Sequence, residues 1–188
     1  EGGVVSTNDK KLYKNIALIA SRHAPYRGKH DPYWKKYYVN GEGYNYLMPH
    51  LPGALARAQI ERFKSTLLKN KIRVGKLYNK VFQENENYIL TQKKLKKNKP
   101  VYWLNSIYFK KLNARKVRKI GETLIKKNIE VRSGFWPLNE MKVFKPIYIT
   151  KKNFSKKMFN QVLVLPSNGK LNIKNIKFIK KEIDKLIK

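Results

Sequence analysis

The sequence predicts an α/β chain whose C-terminal part is an α+β layer, with short strands in a mainly antiparallel sheet covered on one side by helices. Three observations lead there. The runs "VYWLNSIYF", "IEVR" and "QVLVLPS" have the β-branched and aromatic content of strands. Apolar residues recur at helical spacing between and after them. An apolar share of 41% in 188 residues is enough to build a core.

Taken in order, Gly2 to Thr7 reads as a short strand, and Asn8 or Asp9 caps a helix with Leu12, Ile16 and Ile19 on one face. From Ser21 to Gly43 the period disappears into "SRHAPYRGKHDPYWKKYYVNGEG", a loop rich in Pro, Gly and aromatics and longer than a connector needs. Pro52 suits the first turn of one long helix. Its apolar positions Leu55, Ile60, Phe63, Leu67, Ile72, Leu77 and Phe82 continue to about Val81, with a kink expected at Gly75. Beyond Pro100 come the strand "VYWLNSIYF", a helix capped by Asn113 and the strand "IEVR". "QVLVLPS" is a short buried strand, and Asn172 caps a last helix with Ile173, Ile176, Ile179, Ile183 and Leu186 on one face. The expected division is residues 1–99 and 100–188.

Composition removes several classes of function. There is no cysteine, so disulfides and thiolate chemistry are out, and the three histidines are scattered, so no metal site is expected. Lone His23 reads as a loop residue. The twelve acids stand mostly isolated among lysines, which gives paired-carboxylate chemistry no support, and there is no glycine-rich phosphate loop. No apolar run is long enough to cross a bilayer. A cytoplasmic protein without a membrane partner is expected, and the opening "EGGVVSTND" reads as the middle of a longer protein.

The formal charge of +31 points by itself to a nucleic acid. Against that, lysine outnumbers arginine 35 to 8, whereas recognition of bases and phosphates favours the guanidinium fork. Lys, Asn, Ile and Tyr are also residues of AT-rich codons, and the densest basic patch, "KKLKKNK" at Lys93–Lys99, has the setting of a loop between strands. A Lys-rich, ribosomal-type nucleic-acid-binding protein therefore stands as the alternative function, which a clustered basic face in the fold would favour. The main reading expects no specific nucleic acid.

The stretch "GEGYNYLMPHLPGALARAQIERF", Gly41 to Phe63, needs another explanation. With "EGGVVSTND" before it and Tyr78 and Phe82 after it, it resembles the region following the cofactor lysine in the DegT/StrS family of sugar aminotransferases. "YWLNSIYF", "NIEVRSGFWPL" and "VLVLPSNGKLNIKNIKFIKKEI" are similar to the family's small C-terminal domain, so the resemblance covers nearly the whole chain. "DPYWKKYYVNGEGYNY" resembles perosamine-synthase-like members. The resemblance implies the end of a large fold-type-I domain with a long interdomain helix over 1–99, then the small α+β domain over 100–188. It also implies a pyridoxal 5'-phosphate enzyme, a homodimer, that moves an amino group from glutamate to a nucleotide-linked keto sugar in amino-sugar and polysaccharide biosynthesis.

By the same resemblance the Schiff-base lysine lies upstream of Glu1, so no catalytic residue is assigned and the chain alone is expected to be inactive. Asn45, in "GYNY", takes the position of the amide that reaches the other subunit's cofactor phosphate; alternatively it tolerates a left-handed turn after Gly43. Tyr44 and Tyr46 read as packing residues. Leu47 stands where the family often has a base, and Asn139 where many members have His. Arg132, Phe135 and Trp136 match a substrate-facing loop, the alternative for the two aromatics being a plug on the small domain's core. Ala54, Ala56 and Ala58 suit close helix approach at a dimer interface, with Gln59 as a buried polar contact.

Overall fold

The computed structural model describes residues 2–25, 28–90, 98–144 and 154–187, which fall into two compact units, Glu1–Glu61 and Arg62–Lys188. This division lies well before the expected one at Pro100, because the helix before it shares its core with the sheet after it.

In the first unit, Gly2–Thr7 makes no strand pairing among the described residues, so the strand expected there is not formed. Asp9 caps α1, Lys10–Ala20, its carboxylate accepting from the amides of Lys11 at 2.8 Å and Leu12 at 3.0 Å. A long loop containing one 3₁₀ turn, Tyr33–Lys35, leads to α2, His50–Glu61.

In the second unit the helical path opens on a π turn, Phe63–Leu67, where the amides of Thr66 and Leu67 both donate to the Arg62 carbonyl. α3 follows over Leu68–Val81. The single long helix of the sequence reading is therefore interrupted at Arg62–Leu67, and Gly75 is an ordinary position inside α3. What Gly75 provides is room: a Cβ there would lie 2.1 Å from Cγ of Tyr102. Tyr102 itself is 7% exposed and held at φ 55°.

The sheet has the order β1-β2-β4-β3 and is antiparallel throughout: β1 Tyr88–Leu90, β2 Asn105–Phe109, β3 Arg132–Ser133 and β4 Val162–Leu165. Register sets Phe109 opposite Tyr88 and Ile107 opposite Leu163. α4, Ala114–Lys126, and α6, Ile173–Ile187, join α3 against one face. Asn113 caps α4, and Asn172 and Asn175 exchange side-chain bonds at the start of α6. α5, Phe154–Gln161, precedes β4. The sequence does not show β1 or α5, "IEVR" yields only a two-residue strand, and α3 joins α4 and α6 in covering the sheet. "KKLKKNK" lies largely outside the described residues.

The core joins Val74 and Tyr78 of α3, Ile107 and Phe109 of β2, Leu124 of α4, and Ile176 and Ile183 of α6. Tyr78 satisfies its hydroxyl on the Pro166 carbonyl at 2.7 Å, and burial pushes its pKa up. Asn105 shares the buried side of β2 with Ile107 and Phe109, is 3% exposed, and leaves its Nδ2 without a hydrogen-bond partner among the described residues. An orphaned buried donor costs about 1–3 kcal/mol. Asn105→Leu, of similar volume, should therefore raise the urea midpoint by about that free energy with an unchanged slope; a lower midpoint would show that the amide is satisfied.

Glu182 is 4% exposed and is held by Lys127, at the end of α4, and by Lys185 at 2.7 Å. These bonds, Lys127's first, lower its pKa from 4.5 to about 2. A depressed carboxylate stabilises the fold above its unfolded pKa and loses that contribution as pH falls through the folded one. The wild-type urea midpoint should thus drop more steeply between pH 5 and pH 3 than that of Glu182→Gln. Parallel profiles would contradict the clamp.

Candidate functional site

The first group of site residues hangs on the end of α1. The helix closes at Ser21, whose amide reaches the carbonyls of Ala17 and Leu18, and the chain then reverses through two left-handed residues, Arg22 at φ 63° and His23 at φ 53°. The reversal brings "GYNY" alongside. The amides of Tyr44 and Tyr46 donate to the helix-end carbonyls of Ile19 at 2.7 Å and Ala20 at 2.9 Å, and the Arg22 amide donates to the Tyr44 carbonyl at 2.9 Å. The last carbonyls of a helix have no partner within it, so the loop meets a need of α1 as well as its own. His23 Nδ1 lies 2.6 Å from Asn40 Oδ1, and the Asn40 amide donates to the His23 carbonyl, fastening the far end of the loop.

Asn45 sits at the centre, paired with Ser21 in an isolated antiparallel bridge. Its φ is not positive, so the left-handed alternative for this residue falls; the left-handed positions are Arg22 and His23. Tyr44 and Tyr46 stack with centroids 5.1 Å apart and planes 12° from parallel. Alternation along an extended segment puts the Asn45 side chain on the opposite side from that pair. Its amide is exposed and makes no hydrogen bond among the described residues. Gly43 is required by close approach: a Cβ would come 2.4 Å from the His23 nitrogen and 2.6 Å from the Arg22 carbonyl carbon.

α2 begins five residues after Asn45 and turns largely apolar side chains to solvent, Leu51 at 75%, Leu55 at 63% and Ile60 at 67% exposed. Gln59 is exposed as well, so the buried polar contact expected of it is not made among the described residues.

The second group lies at and beyond the sheet edge. Arg132 opens β3, is exposed, and donates to Glu130 Oε1 at 2.9 Å. It also lines a mostly apolar cavity of about 180 Å³ with Val117, Gly121, Val131 and Phe159. Substrate-sized pockets run to roughly 300–1,000 Å³, so this cavity does not hold a nucleotide sugar by itself. Phe135 is 76% and Trp136 54% exposed, which removes the core-plug alternative. Trp136 packs on Phe159 with centroids 4.3 Å apart, and Phe135 lies 6.4 Å from Trp103, with planes 29° apart. Trp103, itself exposed, was missed; its signal was a Trp at the start of a strand run with no core position to fill. Among the described residues no group of three His, Asp or Glu side chains could hold a metal ion, and no helix is long and apolar enough to cross a membrane.

The chain matches the DegT/DnrJ/EryC1/StrS aminotransferase family over residues 1–184. It belongs to that family. Among curated proteins it is 28% identical over 148 residues to the GDP-perosamine synthase of Escherichia coli O157:H7, covering 79% of this chain and 37% of that protein. It is 25% identical over 182 residues to the UDP-4-amino-4,6-dideoxy-N-acetyl-beta-L-altrosamine transaminase of Campylobacter jejuni, covering 96% and 46%. The fold is similar to that of Helicobacter pylori PseC, an aminotransferase involved in the biosynthesis of pseudoaminic acid, with a TM-score of 0.80 at 18% identity over 96% of this chain and 47% of that one. The chain thus spans less than half the length of these relatives, and its α/β architecture is that of the corresponding part of a sugar aminotransferase.

Proposed function

We propose that this chain is the C-terminal part of a pyridoxal 5'-phosphate-dependent enzyme that moves an amino group from glutamate to a nucleotide-linked keto sugar, and that it works as a homodimer. The strongest support is the family match over residues 1–184. The nucleic-acid alternative gains from the exposed bases that cluster on α3, α4 and α6, but it has no support comparable to the family match over the chain.

The residues present fit a share in holding the cofactor. A phosphate dianion needs several donors, and Asn45 offers an exposed amide on a backbone whose own hydrogen bonds are committed to α1. The N-terminus of α2 just beyond it favours an anion. Asn45 would donate to the phosphate of the cofactor held mainly by the other subunit. When bound, the cofactor supplies the reactive carbon that carries the amino group between donor and acceptor. Arg132 has the planar fork suited to the substrate's phosphates, in competition with Glu130. Phe135 and Trp136 give flat apolar surfaces against which rings of the substrate can lie.

No lysine of this chain is assigned the covalent role. The isolated chain incubated with pyridoxal phosphate and borohydride should give no single stoichiometric lysine adduct on peptide mapping; one such adduct would overturn that assignment. The function itself is tested in the complete protein with glutamate labelled at nitrogen. The label should pass to a nucleotide-linked keto sugar, and a folded, cofactor-loaded protein that leaves every such sugar unlabelled would refute the reading.

A further inference from the structure

The positive charge is not spread evenly. Glu1–Glu61 carries nine basic and five acidic residues and Arg62–Lys188 thirty-four and seven, giving formal charges of +4 and +27. Within the second unit the bases are ordered. α6 packs between α3 and α4, and the three helices bury Val74 and Tyr78, Val117 and Leu124, and Ile176 and Ile183 against the sheet. Opposite those residues each helix presents one stripe at the same spacing of i, i+4, i+7 and i+11. On α3 it is Lys69, Arg73, Lys76 and Lys80. On α6 it is Lys174, Phe178, Lys181 and Lys185. On α4 it is Arg115, Lys119, Glu122 and Lys126. All twelve side chains are exposed, and ten are basic.

Most of the acids that could neutralise this layer are engaged elsewhere. Glu84, Glu86, Glu130 and Glu140 pair with Lys110, Lys111, Arg132 and Lys156, and Asp184 pairs with Lys180. The buried Glu182 pairs with Lys127 and with one stripe member, Lys185. Only Glu122 of the unit's seven acids stands in a stripe. Codon composition can raise the number of lysines, but it does not sort acids away from one side of a helical layer.

We propose that the outer face of α3, α6 and α4 is a docking surface for an anionic lipid bilayer. Three adjacent helices make a broad face, and a bilayer is a broad anion. The cations are mostly lysines, point charges suited to a diffuse field of headgroups rather than to the bidentate contacts that read nucleic acid. Phe178, 51% exposed in the middle helix among Lys174, Lys177 and Lys181, has the place of an interfacial anchor. This contact is peripheral and needs no spanning helix, and it departs from the sequence expectation of no membrane partner. It does not depend on the aminotransferase reading.

The test is co-sedimentation of the complete protein with vesicles at about 0.1 M salt. Vesicles of phosphatidylcholine with phosphatidylglycerol should capture it, and phosphatidylcholine alone should not. Each base near such a surface is worth about fivefold. The combined Lys76→Gln, Lys119→Gln and Lys181→Gln variant, one change per helix, should therefore bind roughly a hundredfold more weakly. Lys10→Gln, Lys11→Gln and Lys14→Gln on α1, equal in charge, should bind nearly as well as wild type, and Phe178→Ser should lose several-fold. Far-UV circular dichroism checks that every variant is folded. No capture by anionic vesicles, or equal losses in the two triple variants, would overturn the proposal. So would duplex DNA at matched phosphate concentration that strips the chain from the vesicles, which would assign the face to nucleic acid.

Discussion

Gly43→Ala should open the loop that carries Asn45. The added methyl group would lie 2.4 Å from the His23 nitrogen and 2.6 Å from the Arg22 carbonyl carbon, and both atoms are backbone, so neither can swing aside as a side chain would. The segments must separate, which breaks the Arg22 to Tyr44 bond and loosens the amides of Tyr44 and Tyr46 from the end of α1. Forced overpacking of this kind costs about 1–3 kcal/mol and occasionally more. Hydrogen exchange reads it directly: the amides of Arg22, Tyr44 and Tyr46 should lose most of their protection, while Ile107 and Leu163 in the sheet keep theirs. Unchanged protection of the three loop amides would mean that the close approach is not required.

Asn45→Ala should do the opposite. The loop is held by backbone bonds and by the Tyr44–Tyr46 stack, none of which involves the Asn45 side chain, so its amides should stay protected. What is lost is one donor to a charged acceptor, about 1.5–3 kcal/mol. In the complete protein that is a roughly ten- to hundredfold weaker hold on pyridoxal phosphate. Equal affinity in wild type and variant would make the loop purely structural. Together the two variants separate the architecture of the site from its chemistry.

What the sequence made legible were features set by neighbours in the chain. Asp9, Asn113 and Asn172 cap their helices as expected, because an Asx side chain ahead of an apolar stripe acts within three residues. "VLVL" became β4 because continuous apolar β-branched character survives in a fully buried strand. What failed depended on distant partners. Tyr88–Leu90 is three residues between "NEN" and a lysine-rich run, and only pairing with β2 makes it a strand. α5, "FSKKMFNQ", has too few apolar positions to show a stripe. The interruption at Phe63–Leu67 was hidden because consecutive Leu67 and Leu68 let a helical pattern run through a change of phase.

The site divides along the same line. The resemblance of "GYNY" to a family loop singles out Asn45 as a candidate, whereas nothing in the sequence shows how the loop is held. Arg22 and His23 are neither Gly nor Asn, so nothing local announces two left-handed residues in succession. The kink expected at Gly75 fails for a related reason: the residue's meaning lies in the ring of Tyr102, 27 residues away in the chain, and not in α3. Phe135 and Trp136 could be read as core or as contact surface until their exposure was known.

Asn45 serving a neighbour's cofactor is the central claim, and subunit mixing measures it directly. Complete protein carrying Asn45→Ala is mixed with protein lacking the upstream lysine that the resemblance implies, and amino transfer is assayed after exchange. In each mixed dimer, one site would combine an intact lysine with the Asn45 of the lysine-less subunit. The predicted result is activity in the mixture above that of the Asn45→Ala homodimer. Activity no greater than the Asn45→Ala subunits give alone, with exchange confirmed, would place Asn45 in its own subunit's site or in none, and would contradict the account.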